Sequence, residues 1–337
     1  MTLHTLSTSF QYPAPDLNKI QKSREELNYK IRTLSTIYLP VLGEELNALQ
    51  MEINSTDEQT LKAITQVPAA LQTSEIQRFH TVIEKLQHET PTPEQQEAID
   101  SYYGEIKLLI EAGTSETLKF ATGLNNNLAN LKATTLSDNQ YRINELDVSI
   151  NNITPRLAEE KLAIEKLVKN ETELNEAIKV IEATDTFTLI KELFLTTEKL
   201  SALNLSAPQL ELVKAGIAAA GKVLGLISDA IKYDNLIEAR RQIQTQLDDR
   251  RKSSSLIDKN IETLQDRKKQ LTEFQAIKTP REDYTREMSI IAESINKFLE
   301  LTRHDASDEL KSVVKQFIEQ SNVFIKHLDN LRKEWRS

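Results

Sequence analysis

Residues 187–233 read FTLIKELFLTTEKLSALNLSAPQLELVKAGIAAAGKVLGLISDAIKY. This stretch holds three of the chain's seven glycines, Gly216, Gly221 and Gly225, and charged, helix-patterned segments flank it on both sides. Asn204-Leu-Ser-Ala-Pro208 divides it into two arms, roughly 187–204 and 207–232. On a helical wheel the first arm puts Lys191, Glu192, Glu198 and Lys199 on one sector. Phe187, Leu189, Ile190, Leu193, Phe194, Leu200 and Leu203 occupy the other. Ser206 and Pro208 form the turn: Ser206 to Gln209 has the capping-box pattern, and Pro208 stands in the first helical turn. In the second arm Glu211, Lys214, Lys222 and Asp229 share one face, and Leu212, Val213, Ile217, Val223, Leu224, Ile227 and Ile231 cover the rest. The expectation is an amphipathic helical hairpin.

Outward from the hairpin, heptads dominate. From Ile143 the a positions are Ile143, Ile150, Leu157, Ile164, Glu171 and Ile178, and the d positions are Leu146, Ile153, Glu160, Leu167, Leu174 and Ile181. Ten of the twelve are apolar, which predicts a coiled-coil rod, kinked or briefly broken at Pro155. On the other side Leu236, Ile243, Ile257, Leu264 and Leu271 share a seven-residue register, with Arg250 in the vacant place and a stutter expected at Ser253-Ser-Ser255. Pro280 closes that helix.

The ends of the sequence read as further helices. Apolar spacing runs from Leu17 to Leu34 and resumes past Pro40. Asn54-Ser-Thr-Asp57 reads as a break, with shorter helices near 57–66 and 74–88 separated by Pro68. Another helix is expected from Glu94 to about Phe120, followed by a turn or a solvated face at Asn125-Asn-Asn127. Two more cover about 281–303 and 307–336. The fold class is all-α: an elongated helical bundle with two long coiled-coil helices joined by the hairpin. The expected division is a tail bundle (1–140 and 278–337), a stalk (141–186 and 233–277) and a head (187–232).

Composition narrows the function. Seven glycines, nine prolines and 5% aromatics in 337 residues, with 28% charged residues, suit long helices with narrow apolar stripes. A net charge of −9 argues against a nucleic-acid partner, which requires a basic stripe. Without cysteine there is neither a disulfide nor a thiolate metal site. The N-terminus lacks the basic and apolar regions of a secretory signal, and no window of 18 residues is free of charge, so a chain made in soluble form is expected.

No catalytic, cofactor-binding or metal site is expected. Gly216–Val223 imitates a phosphate-binding loop but has Val223 where Ser or Thr must hold magnesium, and Ala218–Ala220 favours helix over loop. His80 and His88 are two helical turns apart, too far for joint chelation. His304 with Asp305 and Asp308 reads as a helix start. His4 and His327 stand alone, Trp335 reads as a packing residue, and Asp248–Lys252 as a solvated face.

The arms would span about 27 and 39 Å as helices, against a hydrocarbon core of about 30 Å. The nine Leu, Ile and Val residues of 210–231 would each favour insertion by about 0.3–0.6 kcal/mol, and Lys222 alone opposes it by about 3 kcal/mol. A lone hairpin is therefore poorly suited to a bilayer. A ring of hairpins could turn Glu211, Lys214, Lys222 and Asp229 to a wet lumen. An amphipathic hairpin that stays folded on its own stalk would show the same stripe; the clustered small residues Ala218–Gly221 and the Gly221–Gly225 spacing favour close helix approach, the spacing by itself being a weak signal.

The layout of rod (Ile143–Ile181), hairpin with its Ala218-Ala-Ala-Gly-Lys222 centre, and return rod (Leu236–Ile277) resembles the ClyA-like α-helical pore-forming toxins. The likeness is greatest to the smaller, B component of binary xenorhabdolysin-type cytolysins. It covers nearly the whole chain. It implies a monomer secreted without a visible signal peptide, a larger A component as partner, and a hetero-oligomeric ring on the membrane of a target cell. The hairpin would insert, lysing the cell without enzymatic chemistry. The alternative is a structural coiled-coil scaffold or tether, which would have no need of an apolar, Ala/Gly-rich hairpin at the far end of its rods.

Overall fold

The computed structural model describes residues 10–88, 90–227, 230–304 and 309–335, without the side chains of residues 189 and 190. Among the described residues there are eleven helices: α1 Leu17–Thr33, α2 Pro40–Ala70, α3 Thr73–Leu86, α4 Pro93–Ala133, α5 Gln140–Glu182, α6 Phe187–Ile190, α7 Thr197–Ser201, α8 Ala207–Leu224, α9 Tyr233–Gln275, α10 Lys278–Leu301 and α11 Leu310–Trp335. The chain is all-α, and its one β-type pairing among the described residues is a single antiparallel bridge between Phe194 and Lys232. It divides into two compact units: residues 1–139 with 270–337, and residues 140–269.

In the first unit α2 and α4 pack along one another, α10 lies against α1 and α4, and α11 against α2. Tyr284, Phe298, Phe317 and Phe324 are fully buried in its core, the rings of Phe298 and Phe324 stacked 4.5 Å apart. The approach to α1 is pinned to the same core: Tyr12 packs 5.0 Å from the Phe324 ring, and the Ser294 hydroxyl donates to the Pro13 carbonyl at 3.2 Å. Arg281 donates from both terminal nitrogens to the Thr134 and Lys132 carbonyls, each at 2.8 Å. Those carbonyls lie at the C-terminal end of α4, where helix carbonyls lack partners and a cation is favoured. Trp335 sits under the Arg24 guanidinium, 5.6 Å away.

Expected interruptions of this unit are absent or displaced. Asn54–Asp57 does not break α2, because Thr56 and Thr60 are buried and their hydroxyls donate to the Glu52 and Thr56 carbonyls one turn back. Asp57 accepts from the buried Tyr284 hydroxyl at 2.8 Å. Pro68 lies within the last turn of α2, so the two short helices expected around it are the end of one long helix and α3. Of the two readings of Asn125–Asn127, a turn or a solvated face, the second holds: Asn125 and Asn126 are exposed within α4, which continues to Ala133, and Asn127 donates to the Ser55 carbonyl at 3.1 Å. Pro280 falls in the first turn of α10, where its missing N–H is harmless, and α9 ends earlier, at Gln275.

In the second unit α5 and α9 are each 43 residues long and pair antiparallel. Tyr233 on α9 donates to Glu182 on α5 at 2.5 Å, Gln244 to Glu171 at 3.2 Å, Arg250 to Glu160 at 2.9 Å, and Lys268 pairs with Asp147 at 2.5 Å. Advancing along α9 thus matches retreating along α5. Every one of the twelve heptad positions from Ile143 to Ile181 is buried or half-buried, as are Leu236, Ile243, Ile257, Leu264 and Leu271. The two polar interruptions of the α5 seam, Glu160 and Glu171, are the residues that meet Arg250 and Gln244. Pro155 does not break α5; it is exposed, as is Asn151, whose carbonyl it leaves without an intrahelical donor and open to water. Ser253–Ser255 likewise lies inside an uninterrupted α9.

Candidate functional site

The segment between α5 and α9 differs from the expected hairpin in its first arm. Residues 187–204 do not form one helix: α6 has four residues, α7 five, and 191–196 between them is irregular. Thr186, Thr188, Thr196 and Thr197 explain this. Threonine loses rotamer freedom in a helix and favours caps and turns, and Thr196 is the N-cap of α7. The wheel that grouped Lys191, Glu192, Glu198 and Lys199 therefore does not describe this arm. Asn204 closes it in the left-handed region, at φ +54°.

The turn and second arm fold as expected at their start. The Gln209 side-chain oxygen accepts from the Ser206 backbone N–H and hydroxyl, both at 2.9 Å, and Pro208 occupies the first turn of α8. The helix ends at Leu224, short of the expected 232. Gly225 adopts φ +66°, and the N–H groups of Gly225 and Leu226 both reach back to the Gly221 carbonyl. The Gly221–Gly225 spacing is thus a C-terminal cap within one helix and not a helix contact, whereas Ala219 and Ala220 of the same small-residue cluster are buried against α5 and α9. Close helix approach occurs at Gly216. A Cβ there would lie 2.2 Å from the Ala177 Cβ and 2.9 Å from the Glu173 carbonyl oxygen, both on α5.

Through this contact α8 lays its apolar face on α5. Val213, Ile217, Ala219 and Ala220 are buried with Leu174, Ile178 and Ile181 of α5 and Leu236, Ala239 and Ile243 of α9. Leu200 and Ile231 belong to the same core, and Phe187, Leu203, Val223 and Leu224 pack half-buried against it. Leu195 joins it too, a core residue absent from the predicted set although it continues the apolar run of Leu193 and Phe194. Its N–H donates to the Ile231 carbonyl at 2.8 Å, next to the Phe194–Lys232 bridge.

The predicted apolar set is therefore split. Leu193, Phe194 and Leu212 are about two-fifths exposed, and Ile227 is 77% exposed. Of the four charged positions, Glu211 and Lys222 face solvent and Lys214 is half-buried, its ammonium 3.0 Å from Glu211. Asp229 lies outside the described residues, as do His4, Asp305 and Asp308 and the side chains of Leu189 and Ile190. Among the described residues no helix is long and apolar enough to cross a membrane, and no three acids or histidines are grouped to hold a metal. The irregular arm also walls a pocket of about 210 Å³ between Leu193–Leu195 and Leu200–Leu203.

No family model matches the sequence, and no curated protein does. Solved structures do. PaxB from Photorhabdus luminescens superimposes with a TM-score of 0.84 over 97% of this chain and 99% of that one, at 17% identity. The fold is the same. XaxB from Xenorhabdus matches with a TM-score of 0.78 over 96% and 99% of the two chains at 15% identity. A chain of the YaxAB pore complex matches at 0.70 over 96% and 100%, at 16% identity. The fold shared with PaxB, XaxB and YaxAB spans both units and the segment between α5 and α9, and this agrees with the resemblance read from the sequence layout.

Proposed function

We propose that the chain is the smaller component of a two-part pore-forming cytolysin. It is made as a soluble monomer and secreted, and it joins a larger partner on the membrane of a target cell in a hetero-oligomeric ring. Residues 187–232 are the membrane-active head, 141–186 and 233–277 the stalk, and the remainder the tail. The observation that carries this reading is the fold shared along the whole chain with a chain of the YaxAB pore complex.

The packing of α8 supports it with a mechanism. The apolar face of α8 is now satisfied by α5 and α9, and its charged face by water, so insertion requires α8 to exchange one apolar partner for another. The irregular first arm becomes regular in the same step. It gains the intrahelical hydrogen bonds that a hydrocarbon environment demands of every backbone group. In the ring Glu211, Lys214, Lys222 and Asp229 face the lumen, while Phe187, Leu189, Ile190, Leu193, Phe194, Leu200 and Leu203 join the apolar face of the second arm, Leu212 to Ile231, in contact with lipid. The chemistry is permeabilisation, not catalysis.

The test is release of dye from liposomes and lysis of erythrocytes, with this chain alone and with a co-encoded larger helical protein. Leakage that needs both proteins is expected. Leu224→Asp and Gly221→Pro should abolish it while helix content stays close to the parent's. If no leakage follows with either arrangement, the reading fails, and a scaffold role for the rods takes its place.

A further inference from the structure

The pocket in the irregular arm has a composition that selects its occupant. Its volume is about 210 Å³, and Leu193, Phe194, Leu195, Leu200 and Leu203 supply most of its wall. Among the described residues Lys199 is the one charged residue lining it; Glu192 and Glu198, the acids of the same segment, take no part in the lining. The Lys232 ammonium stands 4.9 Å from the centre of the Phe194 ring, which forms one wall. Among the described residues no carboxylate is paired with either lysine.

A sugar or nucleotide would find almost no hydrogen-bond partners inside, and a divalent cation no oxygen ligands. An apolar chain would cover Leu193 and Phe194, which water now reaches, and a negative end would meet the Lys199 ammonium. We propose that this pocket binds a free, single-chain anionic amphiphile, a medium-chain carboxylate, with its alkyl chain among the leucines and its carboxylate at Lys199. At about 30 Å³ per small group, the share of a water molecule in the liquid, the pocket holds roughly seven methylenes. Octanoate is the matching length. The inference stands on the pocket alone and does not depend on pore formation.

The test is titration calorimetry of the full-length chain with a series of carboxylates from butanoate to dodecanoate, all below their micelle concentrations. Affinity should rise about fourfold per methylene up to octanoate and then level off. Ala202→Trp, which fills the pocket from an exposed wall position, should weaken octanoate at least tenfold; Thr186→Trp fills it from the other side should the first variant misfold. Lys199→Glu should weaken octanoate at least fivefold and leave octanol unchanged. The proposal is overturned by any of four results: no saturable binding, affinity that climbs past octanoate without levelling, indifference to the folded tryptophan variant, or equal effects of Lys199→Glu on octanoate and octanol. Binding to phosphatidylglycerol vesicles without binding to any free carboxylate overturns it as well.

Discussion

Arg250 of α9 places its guanidinium 2.9 Å from the Glu160 carboxylate of α5, so the charged interruption in one apolar seam meets the charged interruption in the other. Glu171, the other interruption of the α5 seam, accepts from Gln244 beside the α9 seam at 3.2 Å. A polar residue at a seam position specifies register by what it would lose elsewhere. Slipping the pair by one heptad in either direction would set Glu160 against an isoleucine, Ile243 or Ile257. Because the Arg250 pair is partly exposed, its coupling should be modest, about 0.2–1 kcal/mol. Glu160→Arg and Arg250→Glu should each lower the denaturation midpoint, and the double swap should recover most of the loss. Additive effects in the cycle would deny the pair any part in register.

Gly216 allows α8 to touch α5. Gly216→Ala should destabilise the docking of α8 by about 1–3 kcal/mol, because the new methyl group overlaps Ala177 and the Glu173 carbonyl. Hydrogen exchange across 207–224 should accelerate while the tail helices keep their protection. Ala177→Gly in the same chain should recover part of the effect.

At Gly225 the cause is different. Its φ is +66° and nothing surrounds the position of a Cβ, so a substitution there is strained but not crowded. Gly225→Ala should cost about 1–2 kcal/mol, and Gly225→Asn less, read as faster exchange of the Gly225 and Leu226 amides.

The buried Tyr233 phenol donates to Glu182, and burial together with that carboxylate raises its pKa from 10.0 to about 12. A raised folded pKa means that the unfolded chain loses this proton first. The stabilisation is complete below pH 10 and is lost as pH climbs towards 12. Tyr233→Phe should remove that alkaline component from the denaturation midpoint of the 140–269 unit. A midpoint with the same alkaline slope in both proteins would contradict it.

Acid should act on the other unit. His327 packs between Tyr12 and Phe324, its Nε2 buried without a protein partner among the described residues, and burial lowers its pKa below the ordinary 6.5. Here the unfolded chain takes the proton first, so stability falls as pH drops below 6.5. His327→Phe should flatten the dependence between pH 7 and 5, measured as the denaturation midpoint.

The rods were legible in the sequence because a heptad pattern is a long-range constraint: each of twelve positions had to be covered, and each is. Helix continuity was less legible. Thr56, Thr60 and Asn127 look like helix breakers by residue type, and their side chains instead bond to backbone carbonyls, two of them to their own helix. The first arm failed in the opposite sense. Its apolar residues have helical spacing, but four threonines and the backbone pairing with residues 231 and 232 hold it in short turns. Gly216 and Gly221 could not be told apart by spacing, because one is set by a neighbour distant in sequence and the other by its own cap.

One consequence follows from the hydrogen bond between the Leu195 N–H and the Ile231 carbonyl. It brings together two points 36 residues apart, so everything between them, α7 and α8 included, is an excursion that leaves and returns at one doorway. Loop-closure entropy grows only slowly with length, so the cost of holding that doorway shut depends little on what the excursion contains. The excursion can therefore lengthen without the flanking helices having to part. Evolution is free to rewrite it as a cassette, while the seam on either side keeps its spacing.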